Sequence, residues 1–120
     1  FDDFWPIFDR FGPISGVIHS FTATTTELEQ ALARGLYIGL NGIMTFTKDE
    51  NQLEAAKAVP LERLILETDA PFLTPVPVRG TVNEPKNVVL TAEFLSTLRG
   101  EELGTLAKVT TQNALQLFGI

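Results

Sequence analysis

The order of predicted elements indicates an α/β protein built on parallel strands. Three apolar segments, near residues 15–20, 36–41 and 62–67, are each followed by a segment whose apolar residues have helical spacing. Such alternation predicts parallel strands joined by crossover helices. The third segment, "LERLILE", contains an uninterrupted apolar run, as expected of a strand that helices cover on both faces.

Local signals mark where the predicted elements begin and end. "ISGVIHSF" follows a Gly-Pro break and predicts the first strand, and "LYIGLNG" predicts a second strand that Asn41 and Gly42 close. In "TTTELEQALARG", threonines are placed to cap a helix and Gly35 to end it. Pro60 ends the next helix. The predicted helices cover residues 24–35, 49–58 and 85–100, with one or two more in 101–118, where Ala114, Leu117 and Phe118 are expected to pack inward.

The composition limits the class of protein. The chain has 120 residues, of which 44% are hydrophobic and 20% charged, enough to form one folded core. No apolar stretch approaches the roughly 20 residues of a membrane-spanning helix. The absence of cysteine excludes disulfides and thiolate metal sites and is typical of a reducing, cytoplasmic location.

The charge balance bears on possible ligands. The net charge is -6, and the basic residues are scattered without a Lys/Arg cluster. Binding nucleic acid by broad phosphate neutralisation normally requires a basic surface. If this protein acts on a polyanion, bound metal cations are the obvious source of positive charge.

Polar residues follow the predicted strands at one edge of the sheet. His19 ends the first strand, and Glu67 and Asp69 end the third, so all three are expected on the rim where parallel α/β folds bind ligands. An imidazole and a carboxylate at neighbouring strand ends suit a divalent metal. Two ligands are too few for a catalytic metal, and simpler readings stay open: a hydrogen-bonded structural histidine, and an Asx turn at Asp69 before the proline.

Arg79 is a further candidate, in a loop rich in proline and glycine after the third strand. Its guanidinium could bind a phosphate group. The alternative is a salt bridge to Glu84.

The predicted sheet has unprotected edges. Three parallel strands leave both edge strands unpaired, so the sheet is expected to continue in sequence outside this chain or in another chain. The opening segment "FDDFWPIFDRFG" is rich in aromatic residues, which predicts a helix or turn belonging to something larger.

Several motifs together resemble a known family. From Gly16 onward, "GVIHSFTA", "LYIGLNGIMTF", "VPLERLILETDAPFLTPVPVRGTVNEP" and "TTQNALQLFG" resemble the C-terminal half of TatD-family metal-dependent hydrolases. The resemblance implies the last three strands and helices of a TIM (β/α)8 barrel, preceded by the tail of helix five. Residues 1–120 would then form a single partial domain that lacks the N-terminal half, with Phe1, Phe4, Trp5 and Phe8 packed against the sheet.

The resemblance also assigns roles to individual residues. It implies that His19 and Asp69 bind metal, and that Asp69 is catalytic because it orients the attacking water. It leaves the role of Glu67 open. Arg79, Asn83 and Glu84 match the loop after strand eight, with substrate-binding or structural roles. The family pattern "HCFSG" departs here to "HSFTA", at positions that are not ligands.

The function implied is metal-dependent hydrolysis of phosphodiesters in DNA, as in a TatD-type deoxyribonuclease, with one or two Mg, Mn or Zn ions in the full-length protein. The family's other metal ligands lie in its N-terminal half, so these 120 residues alone are expected to bind metal weakly and turn over little substrate. One alternative is a non-catalytic half-barrel that self-associates or pairs with a separate N-terminal half. A flavodoxin-like small-molecule domain is a further reading, but it leaves "ETDAP" and "NEP" unexplained.

Overall fold

The computed structural model describes residues 1–120 and contains one three-stranded sheet in the order β1-β2-β3, with all strands parallel. The predicted α/β class and the parallel alternation are therefore confirmed. The elements are α1 (Phe4–Phe8), β1 (Val17–Ile18), α2 (Thr25–Ala33), β2 (Tyr37–Leu40), α3 (Glu50–Ala58), β3 (Leu64–Leu66), α4 (Val88–Arg99) and α5 (Leu103–Phe118), with 3-10 turns at Asp9–Phe11, Gly42–Thr45, Leu61–Arg63 and Pro85–Asn87.

The helix ends follow the sequence signals. At the start of α2, Thr24 and Glu27 form a capping box in which each side chain accepts from the other residue's backbone N–H. At its end, Gly35 has φ +73 and donates its N–H to the Leu32 carbonyl. Because a residue without a β-carbon adopts this left-handed conformation at little cost, glycine ends the helix here.

The paired parts of the strands are shorter than predicted. β1 pairs over only two residues, Val17 with Tyr37 and Ile18 with Ile38. β2 also pairs with β3, where Leu40 lies opposite Leu66. β1 and β3 each pair only with β2, so each has one edge without a strand partner. The carboxyl ends of all three strands nevertheless meet at one edge of the sheet.

One hydrophobic core lies between the sheet and the helices. Fifteen buried residues form a single cluster that includes Ile38 and Leu64 of the sheet, Leu95 of α4 and Leu106 of α5. The expectation for Phe118 is wrong: its side chain is 64% exposed and does not reach the core. Along α5, the fully buried positions are instead Leu106, Thr110 and Asn113.

The aromatic opening segment packs only in part. Trp5 is buried and donates its indole N–H to Gln30 at 2.7 Å, while Phe1 and Phe4 remain exposed. The Arg34 guanidinium lies 4.2 Å from the Trp5 ring centre and binds both carboxylate oxygens of Asp9 at 2.7 Å. These contacts attach the segment to α2, and Trp5 also belongs to the hydrophobic core that includes Ile38 and Leu64 of the sheet.

Among the helices, none combines the length and apolarity needed to cross a membrane. A surface groove of about 350 Å³ lies between β3, α4 and α5 and is mostly apolar. It is lined by Leu66, Val88, Val89, Ala92, Ala107, Thr110, Thr111, Ala114, Leu115 and Ile120.

Candidate metal centre

The fold brings together the three candidate residues at the carboxyl ends of the outer strands. His19 follows β1 directly, and Glu67 and Asp69 follow β3. One potential ligand atom from each of the three lies within 4.8 Å of the others. The sequence predicted this rim for all three, and parallel strand ends explain why residues 50 positions apart meet there.

The two ring nitrogens of His19 face different carboxylates. Nδ1 lies 2.8 Å from Glu67 Oε1, and Nε2 lies 3.1 Å from Asp69 Oδ1. The hydrogen bond to Glu67 raises the pKa of His19 above its ordinary value of 6.5, partial burial opposes this, and the negative charges of Glu67 and Asp69 add to the rise. The His19 side chain is 61% exposed, whereas Glu67 and Asp69 are largely buried, so the site opens on the imidazole side.

Asp69 carries a buried oxygen that lacks a hydrogen bond. Its Oδ1 atom is inaccessible to solvent and, although it lies close to His19 Nε2, accepts no hydrogen bond. A neutral His19 that donates from Nδ1 to Glu67 turns the lone pair of Nε2 toward this oxygen. Two acceptors facing each other are unfavourable unless a cation lies between them or a proton occupies Nε2.

The donor set fits a divalent metal. Imidazole nitrogen and carboxylate oxygen are ligands that zinc, manganese and magnesium sites use in different proportions. Two donors, each about 2.1 Å from one ion at adjacent coordination positions, stand about 3 Å apart. The 3.1 Å separation of His19 Nε2 and Asp69 Oδ1 meets this condition.

Glu67 is held in place by backbone on both sides. Ser20 donates its N–H to Glu67 Oε1 and has a positive φ of 52, a conformation that is uncommon outside glycine. On the other side, the carboxylate lies over Gly39 of β2, where a β-carbon would stand 2.7 Å from Glu67 Cδ. The missing side chain at Gly39 therefore provides the space that Glu67 fills.

Asn41, which follows β2, contacts two residues of the site, Ser20 and Asp69. Its side chain is fully buried and donates from Nδ2 to Ser20 Oγ at 2.8 Å and to Asp69 Oδ2 at 3.3 Å. Its Oδ1 accepts the Ile43 N–H at 3.0 Å. All three strands thus contribute to the site.

The loop residues do not join this cluster. Arg79 donates to the Thr74 carbonyl at 2.9 Å, and its guanidinium lies 3.9 Å from the centre of the Phe46 ring. The predicted alternative of an Arg79–Glu84 salt bridge is wrong, because Glu84 pairs with Lys86 at 2.9 Å instead. Both Arg79 and Glu84 are exposed.

Asn83 has a different position from its neighbours. It is buried, donates to the Phe72 carbonyl at 2.8 Å and accepts from the backbone N–H of Glu84 and from the side chain of Asn87. These bonds join the start of the loop after β3, at Phe72, to the end of the loop, at Glu84 and Asn87. They use both ends of the side-chain amide.

The sequence does not predict Gly39 or Asn41 as site residues, and it assigns no definite role to Glu67. The signal for Asn41 was its place at a strand end, beside the other two strand ends. The only signal at Gly39 is that a glycine lies inside an apolar strand. Such a glycine is a general sign that another group approaches the backbone closely.

The fold and the site define an α/β protein with a histidine and two carboxylates gathered at the carboxyl ends of parallel strands. The family described as TatD related DNase matches residues 1–119. The chain therefore belongs to the TatD-related DNase family, as its motifs suggested.

Individual relatives agree with this assignment. The chain is 45% identical over 105 residues to the metal-dependent hydrolase YcfH of Escherichia coli, and 39% identical over 111 residues to the 3'-5' ssDNA/RNA exonuclease TatD of Erwinia tasmaniensis. Each match covers 88% of this chain, and 40% and 43% of the respective relative. The chain thus spans less than half the length of the relatives it matches.

The fold agrees as well. The crystal structure of a TatD family hydrolase from Entamoeba histolytica superposes with a TM-score of 0.85 at 22% identity. The match covers 97% of this chain and 46% of that protein. At this identity the likeness concerns the fold, and it covers nearly all of the present chain.

Proposed function

We propose that this chain forms the last three strands and helices of a TIM-barrel hydrolase that cleaves phosphodiesters in DNA with a divalent metal. In this proposal His19 and Asp69 are metal ligands, and Glu67 orients His19 through Nδ1. The proposal rests on the family, on relatives named as a metal-dependent hydrolase and an exonuclease, and on the geometry of the three residues.

The observation that carries the metal site is the buried Oδ1 atom of Asp69. A carboxylate oxygen that is removed from water and accepts no hydrogen bond costs about 1–3 kcal/mol or more. It lies 3.1 Å from His19 Nε2, a nitrogen with which it could share an ion. A cation bound by both atoms removes this cost.

The chain's own residues have separate tasks in this site. Glu67 accepts a hydrogen bond from the Nδ1–H of His19 and so leaves the lone pair of Nε2 free to bind a metal, the arrangement by which carboxylates orient metal-binding histidines. Asp69 is proposed as the catalytic residue that orients the attacking water. A bound divalent ion, Mg, Mn or Zn, supplies stabilisation of the negative charge that builds up on the phosphoryl oxygens.

The substrate that we propose is DNA or a related phosphoester. With a net charge of -6 and no basic cluster, the chain has few means of attracting phosphate other than a bound cation. Arg79 and Glu84 are exposed and stay candidates for contact with substrate, whereas Asn83 supports the loop that carries them. The proposed location, cytoplasmic, rests on the absence of cysteine.

Residues 1–120 act as a partial domain in this proposal. β1 and β3 each have one free edge, and the groove beside β3 exposes apolar residues such as Val89 and Leu115. Strands of a separate N-terminal half, or of a second copy, would cover these edges. The same observation supports the alternative of a non-catalytic half-barrel that associates through them.

Titration calorimetry with Mn²⁺ and with Zn²⁺ tests the metal site directly. We expect measurable binding to the 120-residue chain that His19→Ala and Asp69→Asn each abolish. Glu54→Gln is the matched control, because it removes an exposed acidic group of α3 that pairs only with Lys57. Equal binding in all four proteins would overturn the proposed ligands, and robust EDTA-sensitive DNA cleavage by the chain alone would overturn its role as a partial domain.

A further inference from the structure

We infer that Asn41 is a positioning residue that selects Oδ1 of Asp69 as the metal-binding oxygen. The inference rests on the proposed metal site and adds to it a residue that contributes no ligand. Its basis is a hydrogen bond from the buried side chain of Asn41, at the end of β2, to the half-buried side chain of Asp69, which follows β3.

The orientation of the Asn41 amide is fixed by a backbone group. The Ile43 N–H points at the side chain of Asn41, and a backbone N–H can only donate. The atom that faces it is therefore the oxygen. The amino group must then face the other way, toward Ser20 and Asp69, so the assignment of the two atoms does not depend on the site itself.

The amino group of Asn41 makes the two oxygens of Asp69 unequal. Its two protons are used, one by Ser20 Oγ at 2.8 Å and one by Asp69 Oδ2 at 3.3 Å. Oδ1 of Asp69 is left without a hydrogen bond and next to His19 Nε2. One oxygen is thus bound to the protein and the other is kept for an ion.

Burial makes this arrangement rigid. Asn41 is 1% exposed, so the atoms packed around it keep its amino group at Oδ2. Without that donor, the side chain of Asp69 is free to rotate about its Cα–Cβ bond, which moves Oδ1 away from His19 Nε2. Outer-sphere groups that orient ligands in this way typically change metal affinity by about 10–100-fold.

Asn41→Ser tests the inference with little disturbance of the turn. Serine keeps an oxygen that can accept the Ile43 N–H, but its side chain is one bond shorter and loses the contact with Asp69. Asn41→Asp is a second variant of the same size, in which an acceptor replaces the donor. Thr45→Val is the matched control: it removes two hydrogen bonds in the same turn, to the Gly42 carbonyl and from the Val76 N–H, and does not touch Asp69.

The first readout needs no metal. Three-bond NMR couplings between Asp69 Cγ and its backbone nitrogen and carbonyl carbon report the rotamer about the Cα–Cβ bond, which sets where the carboxylate lies. We expect a single rotamer in the wild-type chain and in Thr45→Val, and averaged couplings in both Asn41 variants. An unchanged single rotamer in Asn41→Ser and Asn41→Asp would overturn the inference, whether or not the chain binds an ion.

The second readout is Mn²⁺ affinity by calorimetry. We expect a loss of about 10–100-fold in Asn41→Ser and none in Thr45→Val. If the wild-type chain binds Mn²⁺ and Asn41→Ser binds it equally well, the inference fails while the proposed function stands. If the wild-type chain binds no Mn²⁺, the proposed metal site fails, and the rotamer measurement still decides whether Asn41 positions Asp69.

Discussion

The Glu67 carboxylate occupies the space above Gly39 in which any other residue would carry its β-carbon. That carbon would lie 2.7 Å from Glu67 Cδ and 3.0 Å from Oε1, closer than such contacts normally allow. Glu67 in turn lies 2.8 Å from His19 Nδ1. The absence of a side chain on β2 therefore determines how a histidine on the neighbouring strand is oriented.

Gly39→Ala is expected to displace Glu67 and weaken metal binding. The backbone at Gly39 is ordinary strand, so alanine fits the chain conformation and only the contact with Glu67 changes. Loss of the group that orients His19 should lower Mn²⁺ affinity by about 10–100-fold, measured by calorimetry. Gly16→Ala is the control, since its new β-carbon would make only an ordinary contact, 3.7 Å from Leu36. Equal affinity in Gly39→Ala would argue against an orienting role for Glu67.

His19 should titrate above its ordinary pKa of 6.5 in the metal-free chain. The hydrogen bond to Glu67 is the main cause, with added attraction from Glu67 and Asp69 against partial burial. A raised pKa means that protonated His19 stabilises the folded state. This contribution is complete below the unfolded pKa and is lost as pH rises through the folded one. NMR titration of the His19 ring checks the value, and Glu67→Gln should move it back down.

A proton on His19 competes with a metal ion for the Nε2 atom. Binding through Nε2 requires its loss, so Mn²⁺ affinity should fall as pH is lowered through the raised pKa of His19. Calorimetry at one pH above and one below that pKa measures the change. A His19 that titrates below 6.5, or an affinity that does not change with pH, would count against this arrangement.

The sequence predicted the fold more completely than it predicted the side-chain contacts of the site. Alternating apolar patterns, the Thr24 cap and Gly35 depend on neighbours along the chain, so they predicted parallel strands and helix ends. His19 and Asp69 could be placed at the rim because every strand end lies there. Contacts across strands are different, because they depend on register.

Gly39 and Asn41 illustrate what register adds. The only sequence signals are the strand-end position of Asn41 and the glycine inside an apolar strand at Gly39, and each of the two acts on a residue that follows β3. Periodicity does not specify which residue of β2 lies beside Glu67 or Asp69. The Arg79–Glu84 pair failed for a similar reason: the Phe46 ring, distant in sequence, lies under Arg79, and Lys86 is nearer to Glu84.

Asp9 should make stability depend on pH in the acid range. The hydrogen bond from Arg34 lowers the pKa of Asp9 below its ordinary 3.8, so the ionised form stabilises the folded state. Its contribution is present above the unfolded pKa and is lost as pH falls through the folded one. Thermal unfolding followed by circular dichroism should therefore lose less stability on acidification in Asp9→Asn than in the wild type. Asp2→Asn, which removes an exposed acid of the same segment, should behave as the wild type does.

Asn113 is expected to stabilise the end of the sheet opposite the metal site. From the middle of α5 it donates to the carbonyls of Leu61 and Leu64, both at 2.8 Å, and it is 5% exposed. Asn113→Ala leaves at least one buried carbonyl without a partner, at a cost of about 1–3 kcal/mol in the free energy of unfolding. Alanine is a good helix former, so loss of helix propensity does not contribute. Urea unfolding measures the change.

The control for Asn113 is Asn51→Ala, on the exposed face of α3, which should change the free energy of unfolding little. Because Asn113 binds where β3 begins and Asp69 lies beyond its end, Mn²⁺ affinity under conditions where the chain is folded should be unchanged in Asn113→Ala. A variant that stays as stable as the wild type would mean that water satisfies the two carbonyls. A variant that loses metal affinity while folded would mean that α5 positions β3, and with it Glu67 and Asp69, along the length of the strand.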